Sequence, residues 1–143
     1  MATARTNSAT YLAIQLAKGF SRALQTRAAG LGFSPGQFPI LLQLWEEDGL
    51  TQAQLLERIE IEQATMANTL QRMARDGLIE RRPHPSDRRA QLIFLTAKAR
   101  SMRDEALTVA AEAEDAVFAG FRRFERELLK EYMRTAIENA RKL

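Results

Sequence analysis

Four guanidinium groups lie close together at Arg81, Arg82, Arg88 and Arg89, in pairs on either side of Pro83-His84-Pro85-Ser86-Asp87. Arginine is permanently charged and carries its donors in a planar fork, so a cluster of this kind suits phosphate groups or an electronegative groove. The segment between the pairs has the composition of a tight turn, and the flanking runs, Leu78 to Arg82 and Gln91 to Leu95, read as short strands. Together they make a basic hairpin, a finger for DNA. Asp87, two residues before Arg89, can hold its guanidinium. His84 is the only histidine. Set between two prolines without a partner for a metal or a catalytic dyad, it reads as a surface residue of the turn.

Other chemistries are poorly served. No nucleophile with a base, no paired carboxylates and no glycine-rich phosphate loop occur at useful spacing, so an enzyme is not expected, nor a cofactor or metal. The chain has no cysteine, which excludes disulfides, thiolate metal sites and thiol-based sensing. The net charge of +3 is mild, but its placement is not even: from Met1 to Trp45 there is no acidic residue, while Arg5, Lys18, Arg22 and Arg27 fall in that stretch. No run approaches the roughly 18 apolar residues of a membrane span, and a cytoplasmic protein is expected.

The hairpin must be positioned by helices. Asp76-Gly77 ends one before it, and Thr96 caps another after it. Upstream, Thr51-Gln52-Ala53-Gln54 is a capping box that opens a short helix through Arg58, with Leu55, Leu56 and Ile59 on its buried side. Glu62 caps or begins the next, which runs to about Arg75 with Met66, Leu70 and Met73 facing inward and Thr65, Asn68, Thr69 and Arg72 on the opposite face. Two short helices in close succession, the second exposing a hydrogen-bonding face, are the signature of a helix-turn-helix. Before them, Ser34-Pro35-Gly36-Gln37 starts a helix with Phe38, Leu41, Leu42 and Trp45 as its apolar face.

Long amphipathic helices are expected at both ends. One covers Tyr11 to Ala29 with Leu12, Leu16, Phe20, Ala23 and Leu24. A second covers Ala97 to Ala119, with Leu107, Ala110, Ala111, Val117, Phe118 and Phe121 near one stripe. The last, from about Phe124 to Arg141, has Leu128, Leu129, Tyr132, Met133, Ala136 and Ile137 on one face. At 143 residues with 45% hydrophobic composition the chain is one domain, 1–143, mainly α with a small β-hairpin wing. Residues 34–96 form the winged lobe, and 8–30 and 97–143 form helices whose apolar area exceeds what that lobe covers. A symmetric homodimer is expected.

With these residues in order, the chain resembles the MarR/SlyA family of winged helix-turn-helix regulators. Asp87-Arg88-Arg89 with Leu95-Thr96 fits the family's wing pattern D-x-R-x5-L-T, Arg75-Asp76-Gly77-Leu78-Ile79 fits its passage from recognition helix to wing, and Ile61-Glu62-Gln63 opens the helix as in SlyA-like members. The resemblance implies that Thr65, Asn68 and Arg72 face the major groove and Arg89, with Arg88, the minor groove, while Asp87 orients the arginine. Thr51, Gln52, Gln63, Thr69 and Arg75 complete the expected DNA contacts. Asn68 stands where SlyA-like proteins carry arginine, and its amide favours adenine. Glu60 occupies a turn position where many relatives have glycine, which implies strain of roughly 1 kcal/mol if the backbone is left-handed there. Arg122 sits where relatives cap the last helix with serine.

The resemblance further implies a repressor of a pseudo-palindromic operator, relieved by a small aromatic or carboxylated ligand held between the dimer helices and the lobe. Phe20, Phe38, Leu42 and Trp45, otherwise core, would line that crevice, with Arg22 or Lys18 as a carboxylate partner. The alternatives are a winged-helix module that binds an acidic protein surface without specific DNA binding, and an enzyme of the interlobe crevice.

Overall fold

The computed structural model describes residues 2–143. Helix α1 (Ala9–Ala28) is capped by Ser8, whose hydroxyl accepts the Tyr11 N–H at 3.2 Å. A 3-10 turn at Pro35–Gln37 leads into α2 (Phe38–Glu46), then β1 (Leu50–Thr51), α3 (Gln52–Arg58) and α4 (Gln63–Arg75). The hairpin follows as β2 (Ile79–Pro83) and β3 (Gln91–Leu95), and α5 (Ala97–Ser101), α6 (Arg103–Val117) and α7 (Arg123–Ala140) complete the chain. No helix of the described residues is long and apolar enough to cross a membrane.

The sheet is three-stranded and antiparallel in the order β1-β3-β2, so the hairpin is joined on its β3 side by the two-residue strand that immediately precedes α3. A strand that short shows no alternation in sequence, and nothing in composition marks it. In the hairpin, Ile79 pairs with Leu95 and Arg81 with Ile93, and Ile79, Ile93 and Leu95 are all buried beneath the helices. Asp48 anchors the sheet: its Oδ1 accepts the backbone N–H groups of Gly49 at 3.1 Å and Leu95 at 2.9 Å, and its Oδ2 accepts from Arg100 at 3.1 Å.

The core is built mainly by Ile40, Leu41 and Leu44 of α2, Leu55 of α3, and Met66, Leu70 and Met73 of α4, with Leu78 at the foot of the wing. The inward face of α2 thus differs from the expected one. Leu42 points outward and is 37% exposed, because one residue is about 100° of helix rotation and Leu41 already occupies the core direction. Phe38 and Trp45 are half-buried at the rim, with Phe38 stacked on Phe33 at 5.7 Å and the Trp45 indole N–H donating to the Ala99 carbonyl at 3.0 Å.

The helix after the wing is also not continuous. It breaks at Met102 (φ −83°, ψ −8°), which ends α5 and starts α6 while its own side chain is buried. The buried stripe of α6 is Ala106 and Ala113, followed by Phe118, while Ala111 is exposed. Small residues there let α1 approach closely, and Phe20 of α1 meets Phe118 edge-on at 5.4 Å. No described residue other than glycine has positive φ, so Glu60 carries no left-handed strain. The chain instead leaves α3 extended, with Ile59 at φ −123° and ψ 118°.

Helix α7 buries none of its residues. Arg122 occupies its N-cap position without a side-chain cap, and the helix start is secured by Glu125, which accepts the Arg122 N–H at 2.7 Å. Arg126 reaches Asp115 of α6 at 2.8 Å and lies over the Phe118 ring. Phe124, Leu128, Tyr132 and Ile137 remain exposed along α7, as do Tyr11, Leu12 and Ile14 on α1.

Candidate nucleic-acid interface

Helix α4 owes its orientation to Met66, Leu70 and Met73, which are fully buried at helical spacing. The remaining face is therefore turned outward. Gln63, Thr65, Asn68, Arg72 and Arg75 are exposed on it, while Thr69 is half-buried at its edge. Gln71, not among the residues expected at the interface, lines the same outer surface as Asn68, Arg72 and Arg75. Its position three residues after Asn68 and four before Arg75 is the signal that would have found it.

Helix α3 is fixed by the expected capping box: Thr51 Oγ1 accepts the Gln54 N–H at 3.1 Å and Gln54 Oε1 accepts the Thr51 N–H at 2.9 Å. Because β1 pairs with β3, this helix start is held against the wing. Between them lies a cleft of about 450 Å³ lined by Thr51, Gln52, Arg81, His84, Asp87 and Arg89. Four residues expected at the interface from separate stretches of sequence are thus brought into one concavity, joined by Arg81 and His84.

The four wing arginines divide into two kinds. Arg82 bonds Glu80 on its own strand, and its guanidinium carbon lies over the Phe94 ring, so it is engaged within the hairpin. No ion pair among the described residues involves Arg81, Arg88 or Arg89. The role expected of Asp87 needs correction: its Oδ1 accepts the backbone N–H of Arg89 at 3.0 Å and holds no guanidinium. An aspartate bonding to the backbone two residues on is the local geometry a turn favours, and it shapes the tip while leaving the arginine side chain free.

His84 also has a structural task that its isolation in sequence concealed. Its Nδ1 accepts the backbone N–H groups of Ser86 at 3.1 Å and Asp87 at 3.0 Å. The ring is half-buried in the turn. The tip is therefore organised by two side chains accepting from backbone, and the arginines project from a shaped turn.

The foot of the wing is tied to the end of α4. Thr96 donates its hydroxyl to the Gly77 carbonyl at 2.6 Å and accepts the Ala99 N–H at 3.2 Å, and Lys98 donates to the Asp76 carbonyl at 3.1 Å. Gly77 itself, at φ +75°, makes the reversal from α4 to β2 that a side chain would strain. Asp76 sits in the same knot. The Gln37 amide donates to its carboxylate and Arg75 lies beside it, and these hold its pKa below the usual 3.8 against a smaller opposing effect of burial.

A separate apolar crevice of about 440 Å³ lies between α1, the start of α2, α6 and α7. Phe20 and Phe38 line it as expected, with Leu24, Pro35, Ala113 and Met133. Leu42, Trp45 and Arg22 do not: Leu42 faces away, Trp45 is turned toward α5 by its bond to Ala99, and Arg22 is exposed on the other side of α1. The charged group on the crevice wall is Glu114, whose Oε2 is 3.6 Å from Lys130. No basic partner for a carboxylate lines it.

Comparison with known proteins places this geometry. Residues 33–90 match the MarR family. The chain is 31% identical over 94 residues to the HTH-type transcriptional repressor YetL of Bacillus subtilis, a match covering 64% of this chain and 56% of that protein, so the chain spans little more than half the relative's length. Among solved structures, a MarR transcriptional regulator from Methanosarcina mazei Go1 is similar with a TM-score of 0.84 and 26% identity, over 93% of this chain and 96% of that one. A MarR-family protein from Listeria monocytogenes complexed with a 26mer DNA shares the fold at a TM-score of 0.81 and 19% identity, over 93% and 89% of the two chains.

Proposed function

We propose that the chain, which matches the MarR family over residues 33–90 and shares the fold of a MarR regulator from Methanosarcina mazei, is a homodimeric, sequence-specific DNA-binding protein of that family that represses transcription from a pseudo-palindromic operator. One observation carries the reading: an outward polar face on α4 and a wing whose Arg88 and Arg89 form no ion pair among the described residues stand on the same lobe, linked by the cleft at the start of α3. Thr65, Asn68 and Arg72 read base edges and phosphates in the major groove, Asn68 through an amide pair that favours adenine. Arg89 and Arg88 enter the flanking minor groove, where the negative potential is concentrated. The Listeria relative crystallised with DNA has the same fold.

A second copy supplies the second half-site. The apolar faces of α1 and α7 left open in one chain are joined across a two-fold axis, which sets two α4 helices about one turn of duplex, roughly 10 base pairs, apart. A compound in the apolar crevice relieves repression by favouring a separation of the two lobes that no longer matches that spacing. Glu114 on the crevice wall favours a neutral or cationic aromatic compound over a carboxylated one.

The test is selection of sites from random duplex DNA by the purified protein, with the enriched site compared against scrambled DNA at fixed salt. An inverted repeat with half-sites near one turn apart is the expected result, with affinity falling as salt rises because each basic contact releases counterions. Weak, unselective binding would overturn the proposal and favour an acidic protein partner for the wing.

A further inference from the structure

Gln37 is the buried polar side chain of the described residues, 4% exposed beside a core of aliphatic, aromatic and methionine side chains. Both ends of its amide are engaged. Oε1 accepts the Ser34 N–H at 3.0 Å and closes the 3-10 turn, and Nε2 donates to Asp76 Oδ2 at 3.1 Å, at the far end of α4. The first bond is a local cap that any acceptor at this position would make. The second has no part in the cap.

Asp76 is the C-cap residue of α4, and its other carboxylate oxygen lies 3.4 Å from Arg75 Nε. A run of contacts therefore leads from a buried amide to a carboxylate and on to an exposed guanidinium of the recognition face. On its other side, the turn that carries Gln37 contributes Pro35 and the adjoining Phe38 to the wall of the apolar crevice. The turn thus stands between the crevice and the recognition helix.

We propose that Gln37 is a positioning residue for DNA recognition: its amide N–H pins the C-terminal end of α4 through Asp76 and so sets where Arg75 stands. The inference rests on the DNA-binding reading of the same helix face. A buried amide donor has no water to turn to, which makes its direction well defined. The half-buried Asp76 and the exposed Arg75, left to themselves, would wander among rotamers.

Gln37→Glu separates the two tasks of the side chain, since it keeps the acceptor for Ser34 and nearly the same volume but replaces the donor with oxygen facing a carboxylate. Two carboxylates at that distance share a proton as pH falls, which restores a hydrogen bond between them. The measurement is the ratio of affinities for the selected operator and for scrambled DNA, taken for wild type and variant from pH 7.5 down to about 5. We expect the variant's ratio to be lower by about tenfold at neutral pH and to approach the wild-type value on acidification, with scrambled DNA bound equally throughout.

The exchanged pair, Gln37→Glu with Asp76→Asn, puts the bond back with donor and acceptor reversed, moves the one negative charge to position 37 and leaves the amide oxygen at position 76 to accept from Arg75. It is expected to restore selectivity at neutral pH. A folded Gln37→Glu dimer with wild-type selectivity overturns the assignment, and so does an exchanged pair that is unselective or fails to fold. If Gln37→Glu alone does not fold, the exchanged pair decides. A wild-type protein that selects no operator refutes instead the DNA-binding reading on which the assignment rests.

Discussion

The guanidinium carbon of Arg82 lies 4.2 Å from the centroid of the Phe94 ring, on the outer face of the wing, with Glu80 bonded to the same group. Glu80 pairs with Phe94 across the ladder, so all three side chains share one side of the hairpin. Arg89, beyond the tip, has no such neighbour among the described residues. Two arginines of one cluster are thereby assigned different work, one within the fold and one outside it.

Arg89→Ala is expected to weaken operator binding strongly and leave the melting temperature unchanged, whereas Arg82→Ala should cost about 0.5–1 kcal/mol of stability with little change in DNA affinity. Thermal melts and binding titrations on both variants check this. An exchange of the two outcomes would reverse the assignment.

Asn68→Ala should relax preference at one base pair in each half-site, costing about 1–3 kcal/mol there, since an amide pair to adenine is lost while the phosphate contacts remain. Comparing selection profiles of the two proteins reads this directly. A profile identical to wild type removes Asn68 from the reading face.

Tyr132 and Ile137 are 65% and 51% exposed in the single chain, so a charge at either place has no reason to harm a lone protomer. Tyr132→Glu with Ile137→Glu is nevertheless expected to yield monomer, because in the proposed dimer α7 then presents repelling charges to its copy. Sedimentation velocity decides, and an intact dimer would place the interface elsewhere.

Asp76 predicts an acid limb. Its pKa is lowered in the folded chain by the Gln37 amide, assisted by Arg75. The stabilisation it gives is therefore fully present above the ordinary carboxylate pKa of 3.8 and is lost as pH falls through that value and below. The difference in melting temperature between wild type and Asp76→Asn should be constant from neutral pH to about 5 and shrink toward pH 3. A difference that grows on acidification would contradict the sign.

Much of this fold can be read from local pattern. Capping boxes, the spacing of Met66, Leu70 and Met73, and the glycine after Asp76 each have a local cause, and the helix-turn-helix and hairpin follow from them. The register of α2 is less legible, because Leu41 and Leu42 are equally apolar and only the packed core decides which one enters. Strand β1 and the break at Met102 depend on partners distant in sequence, Ile93 and the core. Of the interface, the exposed face of α4 is implied by its buried one, and the cleft that joins Gln52 to Arg89 depends on β1. The crevice was only half legible: aromatic residues announce apolar surface, but which of them share a cavity is a matter of tertiary direction, as Trp45 demonstrates by turning to Ala99.

An α7 without a buried side chain has a consequence for the life of the protein. A segment of 18 residues held to its own chain only by half-buried and exposed contacts, such as Arg126 to Asp115 and Lys130 to Glu114, opens more readily than the core helices, and backbone that opens is backbone a protease can cut. In the proposed assembly each copy shields the other's last helix, so protection of this segment rises with the concentration of the chain itself. Turnover is then fastest when copies are few.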